Sequence, residues 1–116
     1  MASRIYSAGQ LNQRLQLQQR ADGANALRER NGAWVDVGMP FWARVEMLAG
    51  KETLASSAQQ QVVDARFVVR YRAGITAAQR VVWKGRPFDV VSAEPVDGGI
   101  EWLEILAVHG ARDGRD

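Results

Sequence analysis

The stretch VVWKGRPFDVVSAEPVDGGIEWLEILAV, residues 81–108, decides the fold class of this 116-residue chain. It contains three apolar runs separated by two turn signals, Lys84-Gly85 and the triplet Asp97-Gly98-Gly99. Short apolar runs divided by glycine-containing turns are typical of consecutive antiparallel strands. The stretch therefore predicts a β-meander. Residues of both parities are apolar in its last run, which predicts a strand covered on both faces, for example by a barrel interior and by a helix or a neighbouring subunit.

The residues before the meander predict further strands. Leucines alternate with polar residues in LNQRLQLQQR (11–20), and apolar and polar residues alternate in FWARVEM (41–47), with Pro40 at the entrance of that strand. RFVVRYRAGI (66–75) alternates in the same way. Residues 20–33 carry turn signals and predict a long connection, and residues 51–63 predict a short helix or an ordered loop. We expect a mainly β protein, a small antiparallel β-barrel or sandwich of five to six strands with one short helix and long loops.

Length and composition indicate one domain. We expect residues 1–109 to form it and residues 110–116 to be a disordered tail. Net charge is +2, and no apolar run is long enough to span a bilayer, so we expect no membrane association. The N-terminal residues lack the apolar segment of a secretory signal and the chain has no cysteine, which fits a protein made in a cytoplasm.

The sequence offers little material for catalysis. His109 is the single histidine, and without cysteine it cannot complete an ordinary zinc site or a histidine-based triad. The carboxylates are scattered along the chain, and no glycine-rich phosphate loop is present. We therefore expect no enzyme activity, no metal and no cofactor.

The stretch 66–75 places arginines on one side of a predicted strand. Its period of two sends Phe67 and Tyr71 to one face and the arginines, together with Val68, to the other. Two interpretations remain open. The arginines form a solvated face that pairs with acids such as Glu46 on a neighbouring strand, or they face DNA or a partner subunit. The candidates for this second role are Arg66, Arg70 and Arg72.

Four tryptophans are many for a chain of this length. Tryptophan is favoured both in cores and as an interface anchor. Trp42 has the opposite parity to the apolar face of Ala43 and Val45, so it is the tryptophan that we expect to be an interface anchor.

The order of these elements resembles the phage head–tail joining family, also called head-closure, stopper or head–tail adaptor proteins. The resemblance runs from about Leu11 to Val108. It is carried by Trp34, by Trp42-Ala43 with Gly50 and Glu52, by Arg70-Tyr71-Arg72 with Gly74-Ile75, and by Gly85 with Phe88 and Val90-Val91.

This resemblance implies a structural virion protein made in the bacterial host. It implies a homo-oligomeric ring of roughly six to twelve copies under the portal, closing the DNA-filled head, with a portal or adaptor protein above and a tail protein below. Packaged double-stranded DNA would be contacted without sequence specificity. A long loop in such proteins can project into the channel, and here it falls on residues 50–64, the segment also predicted as a helix. The channel-loop candidates are Lys51, Glu52, Gln59, Gln60 and Gln61.

Two other functions are compatible with the sequence. One is a free-standing nucleic-acid-binding barrel of the OB or SH3-like kind. Against it, the aromatic residues of 66–75 have the opposite parity to the arginines, whereas base-stacking surfaces need both on one face. The other is a tail-completion protein of the same junction, which is similar in size and β content.

Overall fold

A computed structural model describes residues 6–21, 33–48 and 63–109. The strands are β1 (Gln13–Arg20), β2 (Trp34–Asp36), β3 (Phe41–Met47), β4 (Ala65–Arg70), β5 (Gln79–Trp83), β6 (Arg86–Pro95) and β7 (Trp102–His109). Two short 3₁₀ turns, Ala8–Gln10 and Val96–Gly98, are the helical elements of the described residues. The predicted meander corresponds to β5, β6 and β7.

The strands close into a barrel. Neighbours follow the order β1, β3, β4, β7, β6, β5, and β5 pairs back onto β1, with every pairing antiparallel. The seventh strand, β2, pairs with the last three residues of β1. The prediction of a mainly β fold is confirmed, and of the two predicted architectures the chain adopts the barrel.

Strands β2 and β3 follow each other along one edge of β1, and a short irregular segment separates them. Gly38 has a φ of 69°, a conformation that glycine adopts without a steric penalty. The side-chain amide of Gln16 donates to the carbonyl of Gly38 at 3.2 Å, which replaces a missing ladder bond. Pro40 then precedes the first residue of β3, at the entrance predicted from the sequence.

The barrel interior is filled by alternate residues of the strands. Leu15 and Leu17 of β1 are buried, as their spacing predicts. Phe67 contacts Phe88 edge-to-face at 5.5 Å between ring centroids. The alternation predicted for β3 holds only in part, because Ala43 is buried whereas Met47 is exposed where the strand passes beyond the core.

A second apolar cluster lies outside the barrel. Leu11, Val68, Val96 and Trp102 are buried there, and Tyr6 packs against them. The N-terminal segment thus covers part of the outer face of β4 and β7. The prediction that the last strand is covered on both faces holds at Trp102, where the cover is this chain's own N-terminal segment.

The strand predicted over 66–75 is shorter than its sequence pattern. β4 ends at Arg70, so Tyr71 and Arg72 lie in the following connection. Val68, predicted to share a face with the arginines, is fully buried in the outer cluster. Val68 therefore divides the arginines of this face, because it packs into an apolar contact between Arg66 and Arg70. The helix predicted over 51–63 lies outside the described residues except for its last position, and the turn signals of 22–32 and the tail 110–116 lie outside them altogether.

Candidate functional site

Arginine and tryptophan alternate across four neighbouring strands on the outside of the barrel. Arg14 of β1 is the register partner of Trp42 of β3, and Arg70 of β4 is the partner of Trp102 of β7. Trp42 precedes Ala43, which pairs with Val69, so Trp42 stands opposite Arg70. We call these four residues the arginine-tryptophan row.

Each guanidinium of the row covers an indole ring. The Cζ atom of Arg14 lies 4.5 Å from the ring centroid of Trp42, and that of Arg70 lies 4.9 Å from the ring centroid of Trp102. Such cation–π contacts contribute about 0.5–2 kcal/mol, depending on exposure. The two indoles differ in burial: Trp102 is 7% exposed and Trp42 is 51% exposed. Trp42 is therefore the ring that is available to a partner.

A groove borders Trp42 where β3 begins and β4 ends. Arg72 lies over Phe41, with its Cζ atom 4.3 Å from the ring centroid. Tyr71 is 42% exposed, and its backbone N–H donates to the carbonyl of Glu101 at 3.0 Å, which fixes the chain just after β4. We call this groove the socket; it is lined by Pro40, Phe41, Trp42, Arg70, Tyr71 and Arg72.

The guanidiniums around the socket keep their charge available. Within residues 6–21, 33–48 and 63–109, none of Arg14, Arg70 and Arg72 forms an ion pair with a carboxylate. Their contacts are aromatic rings, which do not neutralise a positive charge. The socket thus combines an apolar aromatic lining with a positively charged rim.

Arg66 has a different environment from the other predicted arginines. Its Nη1 donates to Oε1 of Glu46 at 2.9 Å, and its Nε lies 2.7 Å from Oε2 of Glu104. Burial alone would lower the pKa of Arg66, but the hydrogen bond to Glu46 and the charges of Glu104 and Glu46 outweigh it and raise that pKa above the usual arginine value. The stabilisation is fully present at lower pH and is lost only as the pH rises through this pKa. This pair with Glu46 agrees with the solvated-face interpretation for Arg66, whereas Arg70 and Arg72 form no such pair within the described residues.

Of the nine predicted site residues the structure describes four, and it brings three of these together and leaves one apart. Trp42, Arg70 and Arg72 line the socket, whereas Arg66 lies further along β4, beyond the buried Val68. Sequence reasoning missed Arg14 and Tyr71. Arg14 becomes a neighbour of Trp42 only through the register of β1 and β3. The channel-loop candidates, Lys51, Glu52, Gln59, Gln60 and Gln61, lie outside the described residues.

Other kinds of site find no support in the part of the chain that the structure describes. His109 is exposed, and its backbone N–H donates to Oδ2 of Asp64 at 2.8 Å. No three His, Cys, Asp or Glu residues are grouped to hold a metal ion among residues 6–21, 33–48 and 63–109. In the same ranges no helix has the length and apolar character to cross a membrane.

A sequence profile described as phage head completion protein matches residues 6–110. The chain belongs to the phage head completion protein family. The match covers all seven strands and the outer cluster. This confirms the resemblance drawn from the sequence, and it makes the chain a structural head-closure protein and a virion component. The family is structural and not enzymatic.

A solved structure supports the fold assignment of this head completion protein. The solution structure of protein SF1141 from Shigella flexneri 2a is similar with a TM-score of 0.62 and 25% sequence identity. The alignment covers 92% of this chain and 99% of that chain. No curated protein matches the chain in sequence.

Proposed function

We propose that this protein forms a ring beneath the portal of a tailed phage or prophage, closes the DNA-filled head and connects it to the tail. The observation that carries the proposal is the family match, which extends over the whole barrel. The portal or an adaptor lies above the ring and a tail protein lies below it. DNA passes through the ring without being read in sequence, as expected for contacts to phosphates alone.

The closed barrel suits a subunit that must stack between other proteins. Because six strands pair around the full circumference, few backbone groups remain free to recruit another strand. Contacts between subunits then depend on side chains of the outer surface. The arginine-tryptophan row and the socket supply residue types that are enriched at such interfaces.

The arginines contribute unequally to the proposed ring. Arg66 is neutralised by Glu46 and Glu104, so it adds little positive field to a DNA channel. Arg70 and Arg72 keep their charge, and ring symmetry would multiply it around one axis. Two roles remain for them: contact with DNA in the lumen, or contact with a neighbouring subunit.

Deletion of the gene from the parent phage or prophage tests the proposed function. We expect electron microscopy to show packaged or leaking heads beside separate, complete tails, and the wild-type gene supplied in trans should restore joined particles. Complementation by Arg70→Glu adds detail: assembled rings with altered genome retention would favour the lumen, and failed assembly would favour the interface. Normal joined virions after the deletion would reject the proposed function.

One observation favours a second candidate, the free-standing nucleic-acid-binding barrel. Arginines and aromatic rings oppose each other within β4, but they interleave across β1, β3, β4 and β7, and one ring of that row, Trp42, is exposed for a base to stack on. Binding of the isolated chain to short single-stranded DNA at physiological salt separates the two functions. Tight binding would favour the second candidate, because a ring subunit needs its neighbours to hold DNA.

A further inference from the structure

The loop between β6 and β7 carries an exposed aliphatic side chain and carboxylates, whereas the socket carries aromatic rings and arginines. Ile100 is 84% exposed, the highest value among the exposed large hydrophobic residues of the described chain. Three carboxylates, those of Glu94, Asp97 and Glu101, lie within six residues of it in sequence. We call residues 94–101 the acidic loop.

The acidic loop has a fixed conformation. Val96 is buried in the outer cluster with Trp102, which anchors the loop at its start. Asp97 and Gly98 have φ values of 55° and 72°, so the chain turns sharply before Ile100. The carbonyl of Glu101 accepts the backbone N–H of Tyr71, which anchors the loop at its end. Ile100 is therefore exposed on a turn that is anchored at both ends.

The socket and the acidic loop are complementary. The socket presents aromatic rings with arginines around them. The loop presents the exposed aliphatic side chain of Ile100, with the exposed Glu94 and Glu101 close to it in sequence. Arginine forks bind carboxylates with two bonds, and aromatic pockets are common sites for an apolar anchor. The 15 basic residues of the chain include only two lysines, Lys51 and Lys84, and arginine is the cation enriched at protein interfaces.

We propose that the socket of one copy binds the acidic loop of a second copy, with Ile100 against Trp42 and the loop carboxylates against Arg70 and its neighbours. A copy does not fill its own socket, because its Ile100 is exposed and its Arg70 and Arg72 form no ion pair within the described residues. The socket is lined by residues of β3, β4 and the connection after β4, and the loop lies between β6 and β7, so the two surfaces share no residue, although the hydrogen bond between Tyr71 and Glu101 makes them neighbours. A contact between two different surfaces repeats from copy to copy, and it closes into a ring when the rotation between copies allows it. The inference rests on the proposed function and names its subunit interface.

Engineered cysteines test this contact in the full chain, which has no native cysteine. Met39→Cys places a thiol beside the socket at an exposed position, and Gly99→Cys places one beside Ile100, where an added Cβ meets no atom closer than 3.5 Å. The two single variants are mixed at up to about 1 mM, a concentration that populates even weak protein contacts, and then oxidised. We expect the mixed 39–99 disulfide to exceed both self-disulfides.

A charge reversal shows whether the socket itself is responsible. Arg70→Glu in the Met39→Cys background should lower the yield of the mixed disulfide at least about tenfold, because like charges then oppose each other. Arg86→Glu, the same change at an exposed turn residue remote from the socket, should leave the yield unchanged. Glu101→Arg in the Gly99→Cys partner should restore the yield with Arg70→Glu.

Three results would overturn the proposal. They are a mixed disulfide no more abundant than the self-disulfides, a yield insensitive to Arg70→Glu, and a Met39→Cys/Gly99→Cys double variant that oxidises within single chains. If the double variant yields only covalent pairs and no longer ladder, the head-to-tail arrangement is wrong. In these cases double-stranded DNA would be added and tryptophan fluorescence recorded. A change in the wild type that is absent in Arg70→Glu would show that the socket binds DNA.

Failure of this contact and failure of the proposed function give different results. Mixed disulfides together with normal virions after gene deletion would support the proposed contact and reject the head-closure role. Unjoined heads and tails after gene deletion, without mixed disulfides between the cysteine variants, would support the head-closure role and reject the proposed contact.

Discussion

Two tryptophans of this protein show how neighbours decide the role of a residue type. Trp102 and Trp42 both lie under a guanidinium on the outer surface of the barrel. Trp102 is also covered by Leu11, Val96 and Tyr6, so it belongs to an apolar cluster. Trp42 lacks such a cover and stays half exposed. Burial makes the first structural, and exposure leaves the second free to bind.

This difference in burial predicts that the same substitution lowers stability much more at Trp102 than at Trp42. Trp102→Ala should lower the free energy of unfolding by about 3–5 kcal/mol, as expected when a buried aromatic ring is removed. Trp42→Ala should lower it by less than about 1 kcal/mol. Urea titration followed by circular dichroism measures both. Trp42→Ala should still prevent joined particles from forming when it replaces the wild-type gene, and normal particles would show that Trp42 is not an anchor.

Arg66 offers a test of a partly buried ion-pair network. Arg66→Gln removes the ion pairs of Arg66 with Glu46 and Glu104, while Arg44 still lies 3.6 Å from Glu46, so we expect a loss of about 1–2 kcal/mol in the free energy of unfolding. Arg86→Gln, at an exposed position, should change it by less than about 0.5 kcal/mol. Equal stabilities of the two variants in urea would show that the network contributes nothing measurable.

Among the elements, the meander can be predicted from the sequence because the residues that form its turns are adjacent in the chain. Lys84 and Gly85 have φ values of 53° and 77°, as a two-residue hairpin between β5 and β6 requires. A lysine-glycine pair between apolar runs indicates that turn without tertiary information.

The same hairpin predicts a difference between two glycines. Gly85→Ala places a Cβ at a positive φ and should cost about 1 kcal/mol of stability. Gly9→Ala meets no atom within 4 Å and does not require a positive φ, so it should be neutral or slightly stabilising. Thermal unfolding distinguishes them, and equal melting temperatures would show that the turn conformation is not a constraint.

The cover on β4 and β7 is an element that sequence patterns did not reveal. Leu11 continues the alternation of the first strand, yet it packs outside the barrel, because it caps the 3₁₀ turn that precedes β1 and is not part of the strand. The sequence pattern places Val68 on the same face as the arginines, because periodicity shows which residues share a face of a strand but not which segment covers that face. Register likewise decides that Arg14 meets Trp42, and no local signal encodes it.

The outer cluster should contribute measurably to the stability of the protein. Leu11→Ala should destabilise the protein by about 2–3 kcal/mol and shift the fluorescence of the uncovered Trp102 towards longer wavelength. Met39→Ala, at a position 79% exposed, is the matched control and should change neither quantity. An unchanged spectrum for Leu11→Ala would mean that the N-terminal segment does not cover Trp102 in solution.

At the scale of the whole molecule, the fold and the family could be predicted while the binding surface could not. Alternation and turn residues predict strands, because these signals are local, and the order of the elements resembles that of the head–tail joining family. The socket is formed by the start of β3, the end of β4 and the connection after it, so it exists only once the barrel closes. That is why Trp42, Arg70 and Arg72 were named singly and their shared site was not.

The central claim is that copies of this barrel form a ring between head and tail. Cryo-electron microscopy of the neck of the parent virion tests it most directly. The account predicts a ring of closed six-stranded barrels beneath the portal, with density for the DNA channel along its axis. A complete neck in which no ring fits this barrel would contradict it.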